Sequence, residues 1–206
     1  MYTDILWDFD GTLFDTYPGF VDALLQALSD EGIQAGYAEA MSLLRVSVAD
    51  ALDHYARNYR LGKAFTERFH RYHQAMDRSQ VRSFPYAADV IRAIHKSGKR
   101  NYLYTHRGYS AMEYLEEHDL IDYFQDCITR EDDFPPKPSP EAILYLIDKH
   151  KIIKSQALMV GDRKIDILAA ENAGIKSCYF HPGAPEECKS ADYNIRSLTE
   201  VAPIIS

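Results

Sequence analysis

The stretch ILWDFDGT, residues 5–12, joins a short apolar run to two acids, a glycine and a threonine. We interpret Ile5–Trp7 as a buried strand that stops at a polar turn. Asp8 and Asp10 are two residues apart, so on an extended chain their side chains point the same way. Because adjacent carboxylates repel each other, the pair predicts a shared proton or a hard divalent cation such as Mg²⁺. Gly11 permits a sharp turn that brings backbone N–H groups close to an anion.

From residue 85 onward, short apolar runs alternate with segments of helical periodicity. The predicted helices lie near Ala87–Lys96, Ser110–His118, Glu141–Lys149 and Ile165–Ala173. The predicted strands are Tyr102–Tyr104, Cys127–Thr129, Leu158–Val160 and Ser177–Phe180. Strands that alternate with helices form parallel β-α units. The expected fold class is therefore α/β, a Rossmann-like parallel sheet with helices on both faces.

Residues 16–83 carry a different pattern, in which apolar side chains recur at helical spacing and no convincing strand is evident. Examples of this spacing are Phe20, Leu24 and Leu28, and later Phe65, Phe69 and Tyr72. We therefore expect residues 16–83 to form an inserted all-helical cap domain. Residues 1–15 and 84–206 would then form the α/β core.

The composition is that of an ordinary globular chain, with 46% hydrophobic and 26% charged residues among 206. A formal net charge of -8 argues against general binding to nucleic acid or an anionic membrane, because both require clustered Lys and Arg. The three cysteines have no paired spacing, which suits a reducing compartment. The opening MYTDILWDFD lacks the pattern of a signal peptide, and no apolar run approaches the ~20 residues that span a bilayer. We expect a cytoplasmic protein, with monomer and homodimer both open.

Polar residues directly after predicted strands are the first candidates for a functional site. Ligands of parallel sheets bind beyond the carboxyl ends of the strands. Thr105 and Asp162 occupy such positions, as do Asp8 and Asp10. Lys137 lies in a loop with prolines on both sides, which stiffen the backbone and hold its ammonium as a fixed point charge. The competing interpretation is a set of ordinary turn acids and an exposed loop lysine.

Thr105 begins a turn that continues with His106 and Arg107 before the next predicted helix. The threonine hydroxyl and the nearby N–H groups suit phosphate oxygens at a helix N-terminus, although for Thr105 taken alone a plain N-cap threonine is the better interpretation. His106 is a candidate phosphate or substrate contact whose role stays open. Arg107 is expected to be solvated or to support the site indirectly.

The segment GDRKID, residues 161–166, ends one predicted strand and opens a helix. Asp162 at the strand tip is a candidate metal ligand, and Asp166 is expected to support it from the first helical turn. Both acids would equally serve as caps that favour the helix dipole, and this interpretation is stronger for Asp166. The candidate metal ligands are therefore Asp8, Asp10, Asp162 and Asp166.

The order of these segments resembles the haloacid dehalogenase-like hydrolase superfamily, in particular its phosphatases. DFDGTL at residues 8–13 looks like the first signature, and GDRKID at residues 161–166 looks like the fourth. Thr105 and Lys137 look like the second and third, which are single residues and count only in this context. The helical insert is similar to the small cap of the phosphoglycolate phosphatase-like branch, in which the cap closes over the site and selects the substrate.

The resemblance implies a Mg²⁺-dependent phosphatase that forms a transient aspartyl-phosphate from a small phosphorylated metabolite. Asp8 would be the nucleophile, and Asp10 the general acid and then the general base. Thr105 and Lys137 would hold the phosphoryl group. Asp8, the Asp10 carbonyl and Asp162 would bind the metal.

Two features depart from the family pattern. The turn THR at residues 105–107 replaces the Thr/Ser-Asn-Lys type that is common in this branch, and the cap loop lacks a glycine often found there. Both departures leave open whether the small phosphorylated substrate is phosphoglycolate. Arg45 falls where the substrate loop of the cap would lie, so it would meet a substrate carboxylate or remain a solvated helix-end arginine.

Two alternatives use the same residues differently. A sugar-phosphate mutase of the same superfamily employs the same two aspartates, and it would differ in contacts made by the cap. A non-catalytic protein that binds a phosphorylated ligand is the alternative outside enzymes. Such a protein has no need of Asp10, so the complete set of two acids, a lysine and a further acid favours catalysis.

Overall fold

The computed structural model describes residues 1–78, 81–183 and 187–206. The chain divides into two compact units, which we call the core unit (Met1–Phe14 and Ser83–Ser206) and the helical unit (Asp15–Arg82). Residues 79 and 80 of the predicted cap lie outside the described residues. Within the core unit the Phe84 N–H donates to the Leu13 carbonyl at 2.8 Å, so the chain leaves and re-enters this unit at neighbouring points.

Strands and helices alternate through the core unit, as the sequence predicts. The strands are β1 (Asp4–Trp7), β2 (Phe14–Asp15), β3 (Arg82–Ser83), β4 (Arg100–Tyr104), β5 (Phe124–Ile128), β6 (Ala157–Gly161), β7 (Lys176–Phe180) and β8 (Tyr193–Ile195). The α-helices of the described ranges are α1 (Tyr17–Ser29), α2 (Tyr37–Val46), α3 (Val48–Tyr59), α4 (Lys63–Gln74), α5 (Ala87–Lys96), α6 (Ser110–Glu117), α7 (Glu141–His150), α8 (Lys164–Ala173) and α9 (Val201–Ile205). None of these helices has the length and hydropathy required to cross a bilayer.

A six-stranded sheet with the order β5-β4-β1-β6-β7-β8 organises the core unit, and all its strand pairs are parallel. The central strand β1 is buried along its whole length, as expected for a strand covered on both faces. The chain passes from β1 to β4 on one side and later to β6 on the other. A topological switch point therefore lies at the carboxyl end of β1, where ligands of such sheets bind.

One face of the sheet packs against α7 and α8. Leu6, Tyr102 and Met159 belong to a buried cluster that also contains Ala142 from α7 and Ala169 from α8. These strand residues share a face because side chains alternate along each strand. This packing covers the three central strands on one side.

The opposite face is tied to α5 through the buried Asn101 of β4. The Trp7 indole N–H donates to the Asn101 Oδ1 at 3.0 Å, across the β1–β4 pair. The Asn101 Nδ2 donates to the Ile91 carbonyl in α5 at 3.1 Å and to the Tyr123 carbonyl at 3.2 Å. The sheet therefore has helices on both faces, which confirms the predicted α/β, Rossmann-like fold class.

The structure adds the short elements β2, β3, β8 and α9, which the sequence did not predict, and it shifts the bounds of β5. The weak strand expected at Cys127–Thr129 is β5, which begins earlier and ends one residue sooner. The edge strand β8 is only three residues long and carries a polar centre, so it has little alternation to detect. Helix α9 is a single short turn at the chain end.

The helical unit has its own apolar core. Helices α1 to α4 contribute a buried cluster that includes Leu24, Leu44, Tyr55, Phe65 and Phe69. Apart from its first and last residues, which belong to β2 and β3, the described part of this unit contains no strand. This secondary structure agrees with the helical periodicity in the sequence of the insert.

We expect Asn101→Leu to lower the free energy of unfolding by about 3 kcal/mol. The substitution would leave the buried Trp7 indole N–H without its acceptor, at roughly 1–3 kcal/mol, and would remove the hydrogen bonds that Asn101 donates to two backbone carbonyls, at about 0.5–1.5 kcal/mol each. Urea titration followed by the fluorescence of Trp7, the only tryptophan, measures the change. The control is Asn58→Leu on the exposed surface of α3, for which a change within about 0.5 kcal/mol is expected. Equal stability of the Asn101→Leu protein and the wild type would contradict this role.

Candidate active site

The carboxyl ends of the three central strands bring the predicted acids together. Asp8 follows β1, Thr105 follows β4 and Asp162 follows directly after β6, and these three strands are neighbours in the sheet. The carboxylates of Asp8, Asp162 and Asp166 each offer an oxygen within 4.8 Å of the others. Side chains separated by more than 150 positions in the sequence therefore meet at one edge of the sheet.

Lys137 lies among these acids, and its side chain is completely buried. Its Nζ donates to the Asp8 Oδ1 at 2.6 Å, to the Asp166 Oδ1 at 2.7 Å and to the Tyr104 carbonyl at 2.8 Å. The Tyr104 ring centroid lies 4.5 Å from the same nitrogen, within the range of a cation–π contact. All three N–H donors of the ammonium are thus engaged.

The electrostatics of the group follow from two buried carboxylates that share one ammonium. Burial alone would lower the pKa of Lys137, but the Asp166 and Asp8 carboxylates outweigh burial and raise that pKa, so the lysine stays charged. Burial raises the pKa of Asp8 to about 6; Lys137 opposes this effect, and the nearby Asp166 charge adds to it. The site therefore contains more negative charge than its lysine can balance, which is the condition that favours a bound cation.

Asp166 serves the site and the helix at the same time. Its Oδ2 accepts the Arg163 N–H at 3.0 Å and so caps α8, while its Oδ1 accepts from Lys137. Gly161, the last residue of β6, lies directly against this carboxylate, because a Cβ placed on it would be 2.4 Å from the Asp166 Cβ and Cγ. The glycine of the GDRKID segment is therefore required by the close approach of Asp166.

Asp10 is paired with Arg107, a contact that sequence reasoning missed. The Arg107 Nε donates to the Asp10 Oδ1 at 2.9 Å, and Nη2 lies 2.8 Å from the same oxygen. The guanidinium carbon is 5.4 Å from the Phe9 ring centroid and 5.6 Å from that of Tyr114, and the arginine side chain is only 9% exposed. The solvated position considered for Arg107 is wrong, since the arginine supports the site through Asp10. The available signal was a cation two residues after Thr105 in a site rich in acids.

Thr105 and Gly11 both close turns at the site. The buried Thr105 Oγ1 accepts the Arg107 N–H at 3.0 Å, which leaves the hydroxyl proton for a ligand oxygen. Gly11 has a φ of 80°, in the left-handed region that favours glycine, and its N–H donates to the Phe14 carbonyl at 2.8 Å. Phosphate binding by the Gly11 N–H stays a prediction, and it would require this turn bond to open.

His106 contacts the proline-rich loop at residues 135–138, which we call the lysine loop. Its Nε2 accepts the backbone N–H of Lys137 at 2.8 Å. Burial lowers the pKa of His106 to about 4, and the positive charges of Lys137 and Arg163 add to this effect. The imidazole is therefore neutral at pH 7, and a phosphate or substrate contact from it would have only the Nδ1–H available.

Arg45 belongs to the helical unit, where it is exposed near the end of α2. Its guanidinium carbon lies 5.6 Å from the Tyr17 ring centroid. Burial raises the pKa of Asp15, and the charge of Arg45 opposes that rise. Within its unit the arginine thus has an aromatic and an acidic neighbour.

Two of the three cysteines, Cys127 and Cys178, are not candidates for nucleophilic chemistry at neutral pH. All three are free thiols. Burial raises the pKa of Cys127 to about 12 and that of Cys178 to about 12. Both thiols therefore stay protonated at neutral pH and behave as small apolar side chains.

A model of the haloacid dehalogenase-like hydrolase family matches residues 5–180. This range contains the acids at the strand ends and the lysine loop. The chain therefore belongs to the haloacid dehalogenase-like hydrolase family, and the predicted family is confirmed. Within the family it is similar to the phosphoglycolate phosphatases.

The similarity extends along nearly the whole chain. The phosphoglycolate phosphatase of Vibrio parahaemolyticus is 31% identical over 227 positions, which cover 98% of this chain and 95% of the relative. The structure of a predicted phosphoglycolate phosphatase from Haemophilus somnus has a TM-score of 0.85 at 22% identity and covers 100% of this chain and 98% of its own. The HAD-hydrolase YfnB of Bacillus subtilis, solved bound to magnesium, has a TM-score of 0.72 at 19% identity, with coverage of 100% and 99%. The predicted enzyme class, a phosphatase of this family, is confirmed.

We expect Gly161→Ala to reduce the rate of p-nitrophenyl phosphate hydrolysis by roughly 100-fold. A loss of this size is typical when an active-site group is displaced by about 1 Å. The added methyl group would overlap Asp166 and push its carboxylate away from Lys137. Steady-state kinetics and thermal unfolding, measured together, separate this effect from an overpacking cost of ~1–3 kcal/mol.

The control for this substitution is Gly62→Ala, because a Cβ at Gly62 meets no described atom within 4 Å and its φ is -88°. This variant should keep normal turnover. Normal turnover of the Gly161→Ala protein would show that the position of Asp166 does not matter to the reaction.

Proposed function

We propose that the protein is a magnesium-dependent phosphatase that hydrolyses small-molecule phosphate monoesters through an aspartyl-phosphate on Asp8. The observation that carries this proposal is the buried Lys137 ammonium, which bridges Asp8 and Asp166 beside Asp162. A carboxylate of raised pKa with a fixed cation at one oxygen and further acids nearby suits phosphoryl transfer, in which positioning and charge stabilisation dominate.

The donor set fits a hard divalent cation. The Asp8 Oδ2 is buried and has no hydrogen-bond partner among the described residues, so an oxygen of the central acid remains for a ligand. Asp8, Asp162 and Asp166 would hold the ion, and Mg²⁺ prefers such oxygen ligands. The carbonyl of Asp10 is a further candidate ligand from the family resemblance. When bound, the ion supplies charge neutralisation at the phosphoryl oxygens, and the magnesium in the B. subtilis relative supports this choice.

The proposed reaction has two displacements at phosphorus. In the first, an Asp8 carboxylate oxygen attacks phosphorus, the bond from phosphorus to the leaving oxygen breaks, and protonated Asp10 donates its proton to that oxygen. In the second, Asp10 takes a proton from a water molecule, which attacks the aspartyl-phosphate and releases inorganic phosphate. Asp8 is thereby regenerated as a carboxylate.

Lys137 and Thr105 are proposed to hold the transferring group. The lysine is held by its ion pairs with Asp8 and Asp166, so little reorganisation is required when charge develops on the phosphoryl oxygens. Its three N–H donors are engaged, however, and a phosphoryl oxygen would have to share or replace one of these acceptors. The free hydroxyl proton of Thr105 is a donor that requires no such exchange.

The substrate class is proposed from the relatives and from the helical unit. The curated relatives named phosphoglycolate phosphatase support a small phosphorylated carboxylic acid as substrate. We propose the helical unit as the cap that selects it, with Arg45 as the residue for a substrate carboxylate. The three free thiols support the proposed cytoplasmic location.

Asp8→Asn should abolish phosphate release from p-nitrophenyl phosphate in the presence of Mg²⁺, with a loss on the order of 10⁴-fold or more, as when other enzymes lose a covalent nucleophile. The neutral amide cannot form the phosphorylated intermediate. Asp89→Asn, an exposed change on α5, is the matched control and should retain full activity. Hydrolysis that survives in the Asp8→Asn protein would refute the assignment of the nucleophile.

The same assay identifies the substrate when it is run with a panel of phosphoglycolate, sugar phosphates and nucleotides. Release of inorganic phosphate supports a phosphatase. An isomerised sugar phosphate without released phosphate would instead support the mutase alternative.

We expect Mg²⁺ to raise the midpoint of thermal unfolding, and Asp162→Asn to remove most of that rise. Selective binding to the folded protein stabilises it by about 2.7 kcal/mol when the free ion exceeds its dissociation constant 100-fold. Differential scanning fluorimetry with a magnesium titration measures the shift, and Asp89→Asn again serves as the control. An equal response of the wild type and the Asp162→Asn protein would place the ion elsewhere.

A further inference from the structure

The lysine loop, residues 135–138, can donate only one backbone hydrogen bond to its neighbours. Residues 135–138 read PPKP, and proline has no backbone N–H. The N–H of Lys137 is therefore the only backbone donor in these four positions. It donates to the His106 Nε2 at 2.8 Å, across 31 positions of sequence.

The last residue of β4 and the turn that follows it contact Lys137 at both of its ends. The Tyr104 carbonyl accepts from Nζ at the tip of the side chain, and His106 accepts from the backbone nitrogen. Because the His106 Nε2 is an acceptor, the ring proton lies on Nδ1 and the imidazole is neutral. The His106 Nε2 therefore accepts a hydrogen bond from the loop and is not available as a donor to phosphate.

We propose that His106 is a positioning residue for Lys137, which fixes the lysine backbone to the turn after β4 and so sets Nζ between Asp8 and Asp166. The consequence for catalysis rests on the proposed function of Lys137. The contact itself does not, because it is a hydrogen bond between a histidine ring and a backbone amide. His106 acts through Lys137 and needs no contact with substrate.

The kinetic test compares His106→Gln with His106→Met. The two side chains have similar length, but only glutamine offers an acceptor near the position of the lost Nε2. We expect the methionine variant to lose about tenfold in kcat, the factor that corresponds to one buried hydrogen bond, with little change in KM. The glutamine variant should stay within about threefold of the wild type. His150→Met, which removes a half-buried histidine bonded to Asp126, is the control and should keep the wild-type kcat.

The direct test is nuclear magnetic resonance of the ¹⁵N-labelled wild-type protein at neutral pH. We expect an unprotonated His106 Nε2 and a scalar coupling across the hydrogen bond between this nitrogen and the Lys137 amide nitrogen. A protonated Nε2, or one without coupling to that amide, overturns the proposal even if the methionine variant fails to fold.

The two tests separate this inference from the proposed function. A wild-type protein that hydrolyses no phosphate ester refutes the proposed function, whereas the spectrum still decides the contact. An active wild type whose Gln and Met variants have equal kcat refutes the positioning role alone.

Discussion

The structure of the site depends on one buried ammonium group shared between two carboxylates. Removing charges from water is costly, and buried charges are tolerated only when they are paired and hydrogen-bonded. Lys137 satisfies this condition for Asp8 and Asp166, which follow different strands of the sheet. The same ion pairs connect the N-terminal strand, the lysine loop and the start of α8. The proposed chemistry and the local folding therefore impose the same requirement on these side chains.

Several small features serve this arrangement. Gly161 gives Asp166 room to approach, the Asp166 carboxylate caps α8, and the Tyr104 carbonyl and ring contact the ammonium. Asp10 is held separately by Arg107, whose guanidinium lies against two aromatic rings. The two aspartates of the DFD segment thus have different cationic partners. This difference suits the separate roles proposed for them, because each carboxylate is held in its own electrostatic environment.

The fold was largely predictable because its signals are local. Apolar runs that end in acids identify β1 and β6, and the alternation with helical segments identifies the parallel sheet. The convergence of Asp8, Lys137 and Asp162 followed from the topology of such sheets and from the family resemblance. The Arg107–Asp10 pair and the His106–Lys137 contact could not be predicted in this way, since they depend on side-chain directions at turns. The edge strand β8 was missed because three residues carry too little periodicity. Sequence alone also does not show that Asp166 bonds to Lys137 while it caps its helix.

The hydrogen bond between Phe84 and Leu13 shows that both ends of the inserted segment leave the core unit side by side. An insertion whose ends are already adjacent adds little closure entropy to the folding of its host, and this cost grows only slowly with length. The parallel sheet can consequently tolerate inserts of very different size at this junction. Evolution, or an engineer, can exchange the inserted segment and leave the strands of the parallel sheet untouched.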